Sequence, residues 1–192
     1  MKRLNILVDE VRDCRLCEGH LPDGVRPILQ VHSKSRILIA GQATGRRVHE
    51  SGVPFDDPSG DRLREWLGVD RNAFYDPKQF AILPMGFCYP GTGKSGDLPP
   101  RNECAKAWRE VLLQELNAVK LSIVIGIYAI RWHFPSQVGG LTHIVKGWKA
   151  HRPALIPLPH PSPRNNIWLK RNPWFAAELI PYLRRRVSRV LH

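Results

Sequence analysis

Four short apolar runs, separated by stretches of helical spacing, constrain this chain's fold most strongly. The runs are residues 36–40 (RILIA), 80–85 (FAILPM), 122–127 (SIVIGI) and 154–158 (ALIPL). Short segments that are apolar at nearly every position read as strands covered on both faces, as in a parallel sheet. Pro84 weakens the second run. Pro157 places the fourth at a sheet edge or a strand end, because proline cannot donate to a ladder. Between the runs, residues 61–67 put Leu63, Trp66 and Leu67 on one helical face, with Ser59 placed to cap it. Residues 102–119 space Ala105, Trp108, Val111, Leu112 and Leu116 helically, and residues 128–134 follow the third run directly. Residues 173–190 form a last helical stretch, which Pro181 should kink or split. Strands alternating with helices predict a parallel sheet flanked by helices. Ligands in such sheets bind beyond the carboxyl ends of the strands. The loops after Ala40, Phe87, Ile127 and Leu158 are therefore the places to look.

At 192 residues the chain is long enough for a single domain, residues 1–192, with a real core. No apolar run approaches the roughly 18 to 20 residues that span a bilayer, so no membrane role is expected. Charges interrupt the N-terminal apolar stretch and no small-residue cleavage site follows, which reads as a cytoplasmic protein.

The formal net charge is +12. Residues 145–192 hold ten Lys or Arg against one acid, Glu178, a net of +9. Such an excess attracts polyanions whatever the fold, although a charge run also serves as a plain solvated face. Trp168, Trp174 and Phe175 sit among these bases, a mixture that suits nucleic acid.

Residues 91–96 (GTGKSG) imitate a phosphate-cradling loop. The required glycine five residues before the Gly93-Lys94 pair is absent, because Cys88 stands there. Pro99 and Pro100 also discourage a helix from opening after it. The segment reads as a flexible basic loop able to touch a phosphate, not as a nucleotide site.

The four cysteines are Cys14, Cys17, Cys88 and Cys104. The first two form a C-x-x-C pair, and the others follow a strand and open a helix. Disulfides are rare in the cytosol, whereas four thiolates can hold tetrahedral zinc or an iron–sulfur cluster. Zinc more often takes two C-x-x-C knuckles, so one knuckle with two scattered cysteines suits a [4Fe–4S] cluster better, with zinc as the alternative. Four ordinary thiols are the plain reading. A bound cluster would act as a structural staple.

The order GQATG (41–45), GVPF (52–55), DDPSG (56–60) and HPSPRNN (160–166), with those cysteines, resembles the uracil-DNA glycosylase superfamily. The iron–sulfur bacterial and archaeal branches are the most similar. The resemblance covers roughly residues 14–166. It implies a three-layer α/β/α fold with a central, mostly parallel four-stranded sheet. It implies a monofunctional DNA-repair glycosylase, a hydrolase that flips a deaminated base, by default uracil, out of duplex or single-stranded DNA and cuts its N-glycosidic bond. The protein would act as a monomer in base excision repair.

Such chemistry leaves an oxocarbenium-like sugar and an anionic base. By the resemblance, Phe55 is the stacking platform for the base and His160 the donor to its developing negative charge. Backbone amides of Gln42 and Ala43 face the base, with Gly41 allowing close approach. Ser162 binds a phosphate, and Arg164, Asn165 and Asn166 form the loop that enters the duplex. Asp57 positions the water, with Asp56 and Gln42 as alternates. Asp57 reads equally well as a helix cap. Arg46, Arg47 and His49 have no clear counterpart and line the DNA groove or the pocket mouth.

Two positions depart from the family pattern. Pro84 stands where relatives carry the Asn that reads uracil, and Thr44 stands where they usually have proline. Pro84 offers no donor, so discrimination between lesions should suffer. These departures motivate a second reading, a non-catalytic protein on the same fold that binds damaged DNA or other nucleic acid. A zinc-stapled enzyme for free nucleosides is a third, disfavoured by the basic C-terminal third.

Overall fold

The computed structural model describes residues 2–94 and 96–192. A central sheet is built from β1 (Ile37–Ala40), β2 (Phe80–Ile82), β5 (Leu121–Ile125) and β6 (Leu155–Leu158). The order is β2-β1-β5-β6, and every pairing is parallel. Ile39 lies opposite Ile82 on one side and Ile123 on the other, and Ile123 in turn opposite Ile156. β3 (Thr92–Gly93) and β4 (Gly96–Asp97) form a separate antiparallel hairpin.

Strand alternation sends side chains to both faces. On one face, Leu38, Ala81 and Leu83 pack with Leu4 and Val11 of the helix Lys2–Arg12 and with Leu112 and Leu116. On the other, Ile37 and Ile39 join Leu63, Trp66 and Leu67 of the helix Pro58–Leu67 and Leu179, Leu183 and Val187 near the C-terminus. The result is the three-layer α/β/α arrangement expected from the sequence. Both proline-bearing strands, β2 running into Pro84 and β6 containing Pro157, are the sheet's edges.

Several local expectations are corrected. Ser59 does not cap the helix Pro58–Leu67. Asp57 does, its Oδ1 accepting the Gly60 backbone N–H at 2.8 Å, while Ser59 is buried in the first turn. Pro181 splits the last helix: a π-helical turn, Phe175–Leu179, precedes the α-helix Ile180–Leu191. Proline within the first α-turn has no N–H to lose from the ladder, and the widened π turn absorbs its ring. The helix Lys2–Arg12 was not anticipated from the charge-broken N-terminus, yet Leu4, Leu7, Val8 and Val11 mark one apolar face.

Part of the aromatic–basic mixture near the C-terminus is architecture. Trp168, Trp174 and Phe175 meet edge to face, with ring centroids 5.6 to 6.2 Å apart. Trp168 donates its indole N–H to Thr142 Oγ1 at 2.7 Å, and Trp174 donates to Asn172 Oδ1 at 3.1 Å. Arg184 donates to the Glu65 carbonyl and Arg186 to the carbonyls of Pro153 and Lys120. These rings therefore stack on each other, and these two arginines close chain ends. No helix among the described residues is long and apolar enough to cross a membrane.

Candidate active site

Three of the four sheet strands, β1, β2 and β6, end at the wall of one cavity of about 500 Å³. β1 delivers Gly41, Gln42, Ala43, Thr44 and Gly45 to its wall, β2 delivers Pro84, and β6 delivers His160. β5 ends at Ile125, and Gly126, with a φ of +80°, turns the chain directly into the helix Gly126–His133. A Cβ added there would stand 3.9 Å from His160 Cδ2 and 4.0 Å from Gln42 Oε1, so these two side chains flank one point. Phe55, Asp57, Ser59, Arg47, Asp97, Ser162, Arg164 and Asn165 complete the polar and aromatic lining.

His160 is held in one tautomer. The Ser162 backbone N–H donates to Nδ1 at 3.2 Å, so in the neutral ring Nε2 carries the proton. Asn165 Nδ2 donates to the His160 carbonyl at 2.7 Å, and Arg62 donates to the Ser162 carbonyl at 3.2 Å. These bonds brace the loop from both sides. Burial pushes the His160 pKa below its ordinary value; Asp57 and Asp97 pull it back up, and Arg164 adds to the lowering. At neutral pH the ring is an uncharged donor.

Phe55 is the only non-glycine residue with positive φ among the described residues, at +56°. A bulky side chain is costly there and persists only when its surroundings dictate it. The surroundings are visible. A Cβ on Gly60 would overlap the Phe55 carbonyl oxygen, so the chain passes where only glycine fits. Arg64, buried, donates to that carbonyl at 3.4 Å, to Tyr75 Oη at 3.2 Å and to Asp61 at 2.6 Å. Tyr75 in turn donates to the Pro54 carbonyl at 3.0 Å. The Phe55 ring meets Phe74 edge-on at 6.2 Å. A Cβ on Gly41 would touch the Phe55 ring at 3.5 Å, an ordinary contact. Glycine at position 41 thus relieves no clash; it leaves the floor beneath the ring open.

Other expected residues are placed as follows. Asp57 lines the cavity while one of its oxygens caps the helix. Asp56 pairs with Arg71 at 2.7 Å and lies outside the lining of this cavity. Thr44 is buried and donates to the Phe87 carbonyl at 2.7 Å, tying the first loop to the second. That tie is the physical reason for a hydroxyl where proline is usual. Arg47 lines the cavity, whereas Arg46 turns to Thr92 and the Tyr89 ring, and His49 to the Asp23 carbonyl. Ser162 is partly committed: its Oγ accepts the Arg164 backbone N–H at 3.3 Å.

In the segment read as a flexible basic loop, Thr92–Gly93 and Gly96 belong instead to the β3–β4 hairpin, whose Gly96 and Asp97 line the cavity, while Ser95 lies outside the described residues. Thr92 hydrogen-bonds Tyr89 Oη at 2.5 Å, and the Leu98 N–H donates to the Gly91 carbonyl at 2.8 Å. Arg164 Nη1 lies against Gly96, where a Cβ would overlap it. Asp97, which sequence reasoning missed, lines the cavity from this hairpin.

The four cysteines, from three segments, line a second, smaller cavity of about 20 Å³ with Val11, Leu21, Phe87 and Arg101. The Trp108 indole N–H points at Cys14 Sγ (3.3 Å) and the Phe87 N–H at Cys104 Sγ (3.4 Å). Burial pushes the Cys104 thiol up to about 12, so only a cation at this spot would draw its proton off. Among the described residues, no three of His, Cys, Asp or Glu close on a single-ion site.

The sequence model of the Uracil DNA glycosylase superfamily matches residues 30–184. The chain belongs to that superfamily. Members of the uracil-DNA glycosylase superfamily are generally DNA-repair glycosylases, hydrolases that act on DNA. The matched span contains the first loop, Phe55, Pro84 and the His160 loop. The superfamily's sheet is the frame that brings them together here.

Proposed function

We propose that this protein is a monofunctional DNA glycosylase that flips a deaminated base into the cavity between Phe55 and His160 and hydrolyses its N-glycosidic bond. The observation that carries this reading is the convergence of the Phe55 ring, the open Gly41 floor and the single-tautomer His160 on one 500 Å³ cavity. That volume accommodates a nucleobase and part of its sugar.

The steps follow from the lining. Phe55 stacks on the extruded base and Pro84 supports it with an apolar surface. As the bond between C1′ and the base nitrogen breaks, the electron pair stays on the base. His160 Nε2–H, preorganised and largely desolvated, donates to the oxygen that gathers this charge. Gln42 and the Gln42 and Ala43 amides face the same base. Asp57 aligns water toward C1′, with Gln42 as its alternate. Arg47, Arg164, Asn165 and Ser162 receive the phosphates and the gap left by the flipped nucleotide. The lining offers no side-chain amine nucleophile, which supports water rather than a Schiff base and hence no strand cleavage.

Uracil is the default substrate. Pro84 supplies no side-chain hydrogen bond to read it, which leaves hypoxanthine or xanthine open as substrates. The cysteine cavity supports a structural [4Fe–4S] cluster held by Cys14, Cys17, Cys88 and Cys104. Four thiols line one cavity, and two of them accept N–H donors at sulfur; zinc is the alternative occupant. When bound, the cluster would clamp the N-terminal segment to the exit of β2. The protein would act as a cytoplasmic monomer.

The test is a panel of oligonucleotides bearing a single uracil, hypoxanthine or xanthine, incubated with protein and then treated with alkali. Alkali-labile breaks at one or more lesions are expected. Salt-dependent binding with no break at any lesion would replace this reading by that of a damage-binding protein.

A further inference from the structure

Asp97 belongs to the β3–β4 hairpin, the element whose sequence suggested only a basic loop. Its Oδ2 would stand 3.4 Å from a Cβ on Gly45, which sets the carboxylate beside the first loop. That loop, GQATG, supplies no carboxylate of its own. Asp57 lines the same cavity with one oxygen spent on the Gly60 N–H. The two acids come from separate segments, and both act electrostatically on the His160 ring. In a chain of net charge +12 that would grip DNA, an acid at the pocket mouth repels phosphates. It therefore needs a cationic or proton-donating partner.

The hairpin is held where such a role needs it. Thr92, paired with Asp97 in the ladder, is bonded to Tyr89 and receives Arg46 Nη2 at 3.3 Å. Gly96 is covered by Arg164 from the His160 loop. The carboxylate is thus fixed between the first loop and the loop that follows the catalytic strand. Phe55 and Asp97 line the same cavity, so a base stacked on the Phe55 ring would bring its sugar into the space that the hairpin also walls.

We propose that Asp97 is a catalytic residue that holds the attacking water at C1′ and takes its proton. The inference rests on the glycosylase reading above. The C1′–N bond breaks with its electron pair leaving on the base, and the water oxygen bonds to C1′. The water proton passes to the Asp97 carboxylate and from there to solvent, while the departing base anion is protonated in turn. The same negative charge steadies the oxocarbenium-like sugar before water adds. Asp57, anchored at its helix cap, orients the water from the other side.

The experiment measures single-turnover cleavage of the best lesion substrate by wild type, Asp97→Asn and Leu98→Ala, alongside DNA binding. Asp97→Asn should slow cleavage by about 100-fold or more, within the range of general-base catalysis. Its DNA binding should be unchanged or tighter, because a repelling charge is gone. Leu98→Ala removes the side chain that packs on Gly93 but leaves the carboxylate, and should cleave nearly as wild type. Wild-type rates for Asp97→Asn would overturn this proposal alone. Equal losses in Asp97→Asn and Leu98→Ala would show that the hairpin matters only as structure, and overturn it too. A wild-type protein that cleaves no lesion would remove the glycosylase reading and this proposal together.

Discussion

The Ser162 backbone N–H donates to Nδ1 of His160 at 3.2 Å, and that single bond decides which ring nitrogen carries the proton. A donor at Nε2 is what a leaving base anion needs, and burial keeps the ring uncharged at neutral pH. The bond depends on the turn after His160, where Pro161 and Pro163 restrict the chain around Ser162. Ser162→Pro removes the N–H and leaves Nδ1 without its donor. This variant should weaken DNA binding modestly, through the lost phosphate contact, and beyond that slow the bond-breaking step at saturating DNA by about 10-fold or more, roughly the net worth of one hydrogen bond to the ring at 1.4 kcal/mol. Single-turnover rates and a binding titration check it.

The positive-φ backbone at Phe55 is the second point of dependence. Gly60→Ala would drive a methyl into the Phe55 carbonyl oxygen. Overpacking of this kind costs roughly 1 to 3 kcal/mol and shifts the backbone. Urea denaturation should show that loss, and cleavage should fall with it because the ring no longer covers the floor. Arg64→Met is milder: it keeps bulk but frees the Phe55 carbonyl, and should lower activity more than stability.

Pro84 predicts weak discrimination. Pro84→Asn places a side-chain donor and acceptor on the cavity wall while leaving the main-chain carbonyl that accepts from Arg109 at 3.2 Å. Uracil should gain over hypoxanthine by about 10-fold or more in relative rate, since a buried polar group punishes a mismatched partner by 1.4 kcal/mol or more. An unchanged ratio in competition assays would place the reader elsewhere.

His133 makes stability pH-dependent. It hydrogen-bonds Arg109 Nη2 at 2.6 Å, and Arg109 is fully buried, donating also to the carbonyls of Leu83 and Pro84. Burial, with the Arg109 cation adding to it, pushes the His133 pKa down to about 3 from 6.5. Below 6.5 the unfolded chain takes up a proton that the fold refuses. Stability is therefore lost as pH falls from about 6.5 toward about 3 and levels off beyond, with a slope of up to about 1.4 kcal/mol per pH unit. His160, lowered in the same direction, adds to the loss as pH falls below 6.5. Urea midpoints at pH 7 and pH 5 should differ less for His133→Gln, whose amide oxygen still accepts from Arg109.

Much of this was legible in the sequence. The four apolar runs located the sheet, and Pro157 marked β6 as an edge or a strand end, whereas Pro84 only weakened the reading of β2, which is the other edge. The motifs around Gly41, Phe55 and His160 located the cavity because each sits just past a strand end or a turn that glycine makes possible. What escaped depends on long-range contacts. Asp97 was hidden beside a loop whose lysine and glycines suggested a phosphate, and long-range contacts such as Arg164 against Gly96 and Arg46 on Thr92 hold its hairpin at the cavity wall. Asp57 and Ser59 compete locally for the same cap, and spacing alone cannot rank them. Composition also does not show that, of the ten C-terminal bases, Arg184 and Arg186 are bound to carbonyls, or that the rings stack on each other.

The most direct measurement is single-turnover cleavage by His160→Ala against wild type on the lesion wild type prefers, with DNA affinity measured on the same substrate. Loss of the donor should slow cleavage about 100- to 1000-fold while binding stays near wild type. A His160→Ala protein that cleaves at the wild-type rate would contradict the assignment of this cavity as the place where the bond is broken.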